Sequence, residues 1–215
     1  DNFIYQGEDF KRGIKIINKD KFLTSSIITA IASLGINKVK VYKKPIVGII
    51  TTGDELQEPG EDLKEGKIFN SNKAFLYTRL LELGAEPRIF HIAKDSIEGI
   101  VSVVEKAEKE CQIIISTGGV SVGEKDLVLR AVESIGYRRL FWKISMKPGS
   151  PMFSAVKNGV IYIGLSGTPV AAATTFELTA RRVIAKMLSC KDIDIRKVEG
   201  ILQDEFMKKS PKRRF

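Results

Sequence analysis

Ile113-Ile114-Ile115-Ser116-Thr117-Gly118-Gly119-Val120-Ser121-Val122-Gly123-Glu124-Lys125-Asp126-Leu127-Val128 is the stretch whose reading decides the fold of this 215-residue chain. Three β-branched apolar residues in a row suit a strand covered on both faces. The glycines that follow let backbone N–H groups approach an anion that a Cβ would hold away. In open α/β sheets, ligands bind beyond the carboxyl ends of strands. The segment thus predicts a buried strand, a phosphate-holding loop with a charged lip, and the start of a helix.

Working outward, the pattern predicts strands over 46–50, 88–92, 112–116 and 140–146. Helices are predicted over 71–83, ended by Gly84, over 96–110, over 127–135, stopped by Gly136, and from Pro169 to about Leu188. Asp95, followed three residues later by Glu98, reads as a capping box for the second of these. Residues 152–156 and 160–164 form a hairpin across Lys157-Asn158-Gly159. Strands alternating with helices need crossover connections, so neighbouring strands run parallel with helices on both faces. The expected fold is a three-layer α/β/α sandwich with a mostly parallel sheet over 45–190. Residues 1–44 show weak strand signals at 14–17 and 39–42 around a helical stretch over 25–34 and read as a linker or the remnant of another domain. Residues 191–215, with a possible strand at 198–202, read as a tail or the start of a further domain.

With 43% hydrophobic and 28% charged residues the composition is that of a globular protein. No apolar run approaches the ~20 residues that cross a bilayer, which predicts a soluble, cytoplasmic protein without membrane contact. Cys111 and Cys190 are far apart with no histidine nearby, so both are read as packing residues. The net charge of +9 is compatible with an anionic small molecule, with nucleic acid or merely with solubility. Part of the excess sits in Lys208, Lys209, Lys212, Arg213 and Arg214, whereas the glycine loops carry Asp54, Glu55, Glu124 and Asp126. Carboxylates at the centre and the lack of aromatics among the basic residues argue against nucleic acid.

Thr51-Thr52-Gly53-Asp54-Glu55 follows the first strand directly and is either a polar turn or a ligand loop. Its end, the glycine loop after Thr117, and residues 91–95 emerge on the same sheet edge, so their side chains should converge. Asn70-Ser71-Asn72 opens a helix, with Ser71 read as the cap and Asn72 free to reach a ligand. Asp126 is a helix cap or, with Glu55 or Asp95, a carboxylate ligand for a hard cation such as Mg2+. Lys143 and Lys147, an even number of residues apart on an expected strand, would project into one cleft beside the stiff Pro148-Gly149-Ser150-Pro151 loop. Gly164-Leu165-Ser166-Gly167-Thr168-Pro169 leads into the last helix, with Thr168 as cap and Pro169 as first helical residue, a start that also attracts anions. His91, the sole histidine, is read as a partly buried strand residue, and no nucleophile triad is arguable.

Together, Thr52-Gly53-Asp54-Glu55-Leu56, Asn70-Ser71-Asn72, the run from Ser116 to Gly123 with Asp126, Lys147-Pro148-Gly149, and Gly164-Leu165-Ser166-Gly167-Thr168-Pro169 resemble the molybdopterin molybdenumtransferase family, the bacterial MoeA proteins related to the last domain of gephyrin. The match is ordered and spans roughly the whole chain. The resemblance implies insertion of molybdate into adenylylated molybdopterin with release of AMP, with Mg2+, in a homodimer. The related adenylyltransferase, which makes that intermediate, is the alternative activity and a possible partner; a non-catalytic pterin-binding module is the alternative class. By motif the acidic positions are Glu55, Asp95 and Asp126, of which Glu55 and Asp126 would hold the metal, and the basic ones are Lys143 and Lys147. Substrate contacts fall on Thr52, Gly53, Asp54, Asn72, Thr117, Gly118, Gly119, Ser121, Pro148, Gly149, Ser166, Gly167 and Pro169. The chain departs from the family at Ser166 and Thr168, where proline and asparagine are usual, which alters the expected shape of that loop. The resemblance also implies further pieces before Asp1 and after Phe215.

Overall fold

Ile113, Ile114 and Ile115 are wholly buried, as are Val47, Ile49 and Ile50, because each set lies in a strand with helices on both sides. A computed structural model describes residues 3–91, 96–120, 127–201, 203 and 212–214. In order, the elements are α1 (Ser25–Ser33), β1 (Ile46–Thr51), β2 (Leu56–Gln57), β3 (Ile68–Phe69), α2 (Ser71–Glu82), β4 (Glu86–His91), α3 (Ile97–Ala107), β5 (Ile113–Thr117), α4 (Leu127–Ser134), β6 (Arg138–Trp142), β7 (Met146–Lys147), β8 (Phe153–Lys157), β9 (Val160–Leu165), α5 (Pro169–Thr175), a π-helical turn (Phe176–Ala180), α6 (Arg181–Met187) and β10 (Arg213–Arg214).

The main sheet has the order β4-β1-β5-β9-β8-β6. β1 is parallel to β4 and β5, and β5 to β9, whereas β8 runs antiparallel to both of its neighbours. Alternation along the strands sends Val47, Ile49, Ile113, Ile115, Ile163 and Leu165 to one face. There they meet Leu76 and Leu80 of α2, Phe176 of the π-turn and Ile184 of α6. Ile50, Ile114 and Tyr162 face the other way, onto Ile100 and Val104 of α3 and Val128 and Val132 of α4. The three layers of the expected sandwich follow directly. Truncating any one of these wholly buried isoleucines to alanine removes about 2–5 kcal/mol of stability.

Several boundaries differ from the sequence expectation. The strand expected over 140–146 ends at Trp142, because Lys143 takes a left-handed backbone (φ 64°). Residues 14–17 and 39–42 form no strand, and α1 buries only Ile31. The last helix is interrupted by its π-turn. In the β8–β9 hairpin the turn is Asn158-Gly159 alone, both at positive φ (49° and 82°), while Lys157 still pairs with Val160. Two positive φ values match the right-handed twist of a hairpin. His91 is exposed at the end of an edge strand rather than partly buried.

The chain order creates a crevice. From β1 the chain moves outward to β4, then returns across β1 to β5, so the loops leaving β1 and β5 diverge at their carboxyl ends. Register places His91, Thr51, Thr117 and Leu165 in one row along that edge. The row continues through Gly164, paired with Phe153, which pairs in turn with Trp142.

Candidate functional site at the carboxyl edge of the sheet

Four of the loops singled out in the sequence leave this one edge. Residues 52–55 follow β1, residues 118–120 follow β5, residues 166–168 follow β9, and residues 143–150 follow β6. Asp95, Ser121 and Asp126 lie outside the described residues.

The first three loops pack backbone on backbone. Thr52 N–H donates to the Thr117 carbonyl at 3.1 Å, continuing the β1–β5 ladder by one step. Gly118 has φ 89°, and a Cβ there would stand 2.2 Å from the Thr52 carbonyl oxygen. Gly119 (φ 62°) leaves equally little room, since its Cβ would lie 2.5 Å from Val128 Cγ2. Gly167 completes the cluster, with a Cβ position 3.4 Å from Gly118 Cα. The side chain of Asn72, buried in the first turn of α2, donates from Nδ2 to the Gly167 carbonyl at 2.7 Å. Thr52, Thr117, Gly118, Gly119, Asn72 and Gly167 are therefore one contiguous patch.

Glu55 and Asp54 are exposed at its margin. The Glu55 carboxylate folds back over Gly53 (φ 141°), so that both oxygens lie 2.7 Å from where a Cβ on Gly53 would stand. The Asp54 carbonyl accepts from Lys67 Nζ. Among the described residues no group of three or more His, Cys, Asp and Glu side chains is arranged to hold a metal ion. A Mg2+ ion keeps most of its waters and takes one or two carboxylates together with substrate phosphate. Glu55 suits that donor set.

The fourth loop is built differently. The Lys147–Pro148 peptide is cis, and Gly149 (φ 97°) rests on α5, where a Cβ would come 2.3 Å from Thr175 Cγ2. Lys143 N–H donates to Met152 O at 2.7 Å and Ile144 N–H to Ser150 O at 3.1 Å, closing the loop on itself. Lys143 and Lys147 are both exposed. With the strand ended at Trp142, even spacing no longer puts these two lysines on one face. Lys143 Nζ instead sits 4.0 Å from the centroid of the Trp142 ring, a cation–π contact.

Two expected caps move by one residue. Asn70, not Ser71, caps α2, its Oδ1 accepting from Lys73 N–H at 3.2 Å. Ser96, not Asp95, caps α3, accepting from Gly99 N–H at 3.1 Å. Thr168 occupies the cap position of α5 ahead of Pro169 without a side-chain bond, and Ser166 Oγ accepts from Thr168 N–H at 3.4 Å.

Sequence reasoning missed two charged networks, one bridging α2 and the π-turn and one beside the start of α2. Glu177 in the π-turn accepts from Arg79 Nε of α2 at 2.6 Å and from Arg181 Nη1 at 2.9 Å. Burial pushes its carboxyl pKa up, but the hydrogen bonds and charges of the two arginines outweigh that and hold it below the ordinary 4.5. Glu58, missed likewise, is drawn below the usual value chiefly by its bond to Lys73, against burial and with help from Asn70. Both networks join residues distant in sequence, which no local pattern signals. Burial pushes the Cys111 thiol up to about 11, in keeping with a packing residue.

Residues 48–186 match the family described as a probable molybdopterin binding domain. The chain is 35% identical over 211 residues to a molybdopterin molybdenumtransferase of Staphylococcus epidermidis, covering 98% of this chain and 50% of the relative. It is 35% identical over 215 residues to the enzyme of that name from Bacillus subtilis, covering 100% and 50%. A crystal structure of a molybdopterin biosynthesis MoeA protein from Pyrococcus horikoshii superposes with a TM-score of 0.75 at 30% identity, over 85% of this chain and 45% of that one. The chain spans about half the length of the curated relatives it matches.

Proposed function

Because the chain belongs to the molybdopterin molybdenumtransferase family, we propose that its carboxyl-edge loops hold adenylylated molybdopterin and molybdate while molybdate is inserted and AMP released. Residues 45–190 are the domain that carries this chemistry. The observation that carries the proposal is the packing of Gly118 against the Thr52 carbonyl and of Gly167 against Gly118. It keeps side chains out of the crevice and leaves backbone N–H groups as the available partners for a pterin phosphate.

In this reading Thr117, Gly118, Gly119 and Ser121 bind the phosphate. Thr52, Gly53, Asp54 and Asn72 orient the pterin side, and Pro148, Gly149, Ser166, Gly167 and Pro169 shape the opposite rim. Lys143 and Lys147 offset the charge of molybdate or of the departing phosphate. Glu55 and Asp126 would hold Mg2+, which shields the phosphoanhydride so that it can be cleaved. Asp95 adds a further carboxylate to the acidic side. The working assembly is a homodimer in the cytoplasm, with the adenylyltransferase as the partner that delivers the adenylylated pterin. Among the described residues no helix is long and apolar enough to cross a membrane.

The test is AMP release by the protein carrying this chain, given adenylylated molybdopterin, Mg2+ and increasing molybdate. Release that rises with molybdate is expected and is abolished by Asp126→Ala; release indifferent to molybdate overturns the reading.

A further inference from the structure

The cap of α2 does more than start a helix. An N-cap needs only an acceptor, which Asp, Ser or Thr supplies as well as Asn. Asn70 is 3% exposed and uses both ends of its amide. Its Oδ1 accepts from Lys73 N–H at 3.2 Å, while its Nδ2 donates to Thr51 Oγ1 at 2.9 Å and to Glu58 Oε1 at 3.2 Å. Its backbone N–H donates to Gln57 O at 2.9 Å.

Thr51 is the last residue of β1 and the immediate neighbour of the 52–55 loop. Glu58 follows β2 and also pairs with Lys73 through Oε2, so its carboxylate is held from two sides. The amide of Asn70 therefore ties together the start of the 52–55 loop, its return through β2, and the helix turn that presents Asn72 to Gly167. Leaving either amide end unmatched in so buried a position costs more than an ordinary surface bond is worth.

We infer that Asn70 is a positioning residue for the proposed transferase site, fixing the 52–55 loop and the start of α2 in register through its paired donation to Thr51 and Glu58. The inference rests on that function, and asparagine is required because the cap's second atom must donate.

Asn70→Asp tests it, since the shape and the capping oxygen stay while the donor becomes an acceptor facing Glu58. The expected result is a fall of about tenfold to hundredfold in kcat for molybdate-dependent AMP release. KM moves less, because the loops after β5 and β9 still hold the substrate. The double change Asn70→Asp with Glu58→Gln reverses the polarity of the pair, and the Thr51 hydroxyl can rotate to donate, so kcat should return to within about twofold of the unaltered protein. A kcat unchanged in Asn70→Asp, or a double variant no better than the single one, overturns the inference. A second measurement is independent of activity. Amide exchange at Leu56, whose N–H bonds Gly53 O at 3.0 Å, should quicken about fivefold to tenfold in Asn70→Asp. If the unaltered protein shows no molybdate-dependent AMP release, the transferase reading fails and exchange alone decides; unchanged exchange at Leu56 then removes the positioning role.

Discussion

The loops after β1, β5 and β9 and the loop after β6 leave the same edge of the sheet but are fastened in different ways. The first three are held mainly by main chain against main chain, with Gly118 leaving no room for a side chain against the Thr52 carbonyl and Gly167 in contact with Gly118. The fourth closes on itself through its own main-chain bonds and meets α5 where Gly149 faces the methyl of Thr175, and its two lysines stand in solvent. Main-chain contacts have nowhere to move, whereas a side-chain contact can be altered from either partner. Shape is fixed in the glycine loops, and charge is displayed on the loop that is easier to adjust.

That contrast can be broken most forcefully at Gly118. A Cβ there meets a carbonyl oxygen at a positive φ, so Gly118→Ala should lower the stability by about 3–5 kcal/mol. Urea unfolding measures it, and trimming neighbouring side chains should not rescue it. Gly149→Ala is the counterpart, with an expected loss of about 2–4 kcal/mol. Here Thr175→Ser removes the offending methyl while keeping the hydroxyl that donates to Ala171 O. The pair should therefore show a coupling of about 1 kcal/mol or more. Equal rescue at both glycines, or none at either, would erase the distinction.

Lys147→Met sharpens the contrast from the other side. It should lower kcat for AMP release about a hundredfold and leave the unfolding free energy from urea titration within about 0.5 kcal/mol of its starting value. The smallest effect is expected at Glu177→Gln, about 1–2 kcal/mol. Because the folded-state pKa of Glu177 lies below the ordinary 4.5, its contribution is complete above that value and is lost as pH falls through the lower, folded one. The variant should show its full loss near neutrality and converge on the unaltered protein at acid pH, flattening the acid limb of a stability-against-pH curve.

Much of this molecule is legible in its sequence wherever the backbone itself makes a demand. The isoleucine run announces a strand covered on both sides, and Gly118 and Gly119 announce positive φ beyond it. Asn158-Gly159 announces its own hairpin turn. The convergence of Thr52, Thr117 and the glycine loops follows from parallel strand order alone. Legibility fails where residues of equal local merit compete. Asn70 and Ser71 are both good caps, as are Asp95 and Ser96, and the choice at Asn70 is made by Thr51 and Glu58 from elsewhere in the chain. Lys143 gives no warning of a left-handed backbone, which other residue types adopt more readily. The Arg79–Glu177–Arg181 bridge joins positions 98 apart in one of its bonds, a separation no window of local pattern spans.

The sheet order also bears on how the chain is made. β9 is the last strand of the main sheet to be synthesised, yet it lies between β5 and β8. As the polypeptide leaves the ribosome, β4, β1 and β5 can assemble while β5 still offers a bare edge. The β6–β8 ribbon waits apart from them. Arrival of β9 joins the two halves and closes that edge, so the interval before Val160 emerges is when this chain most needs protection from a neighbour's strand.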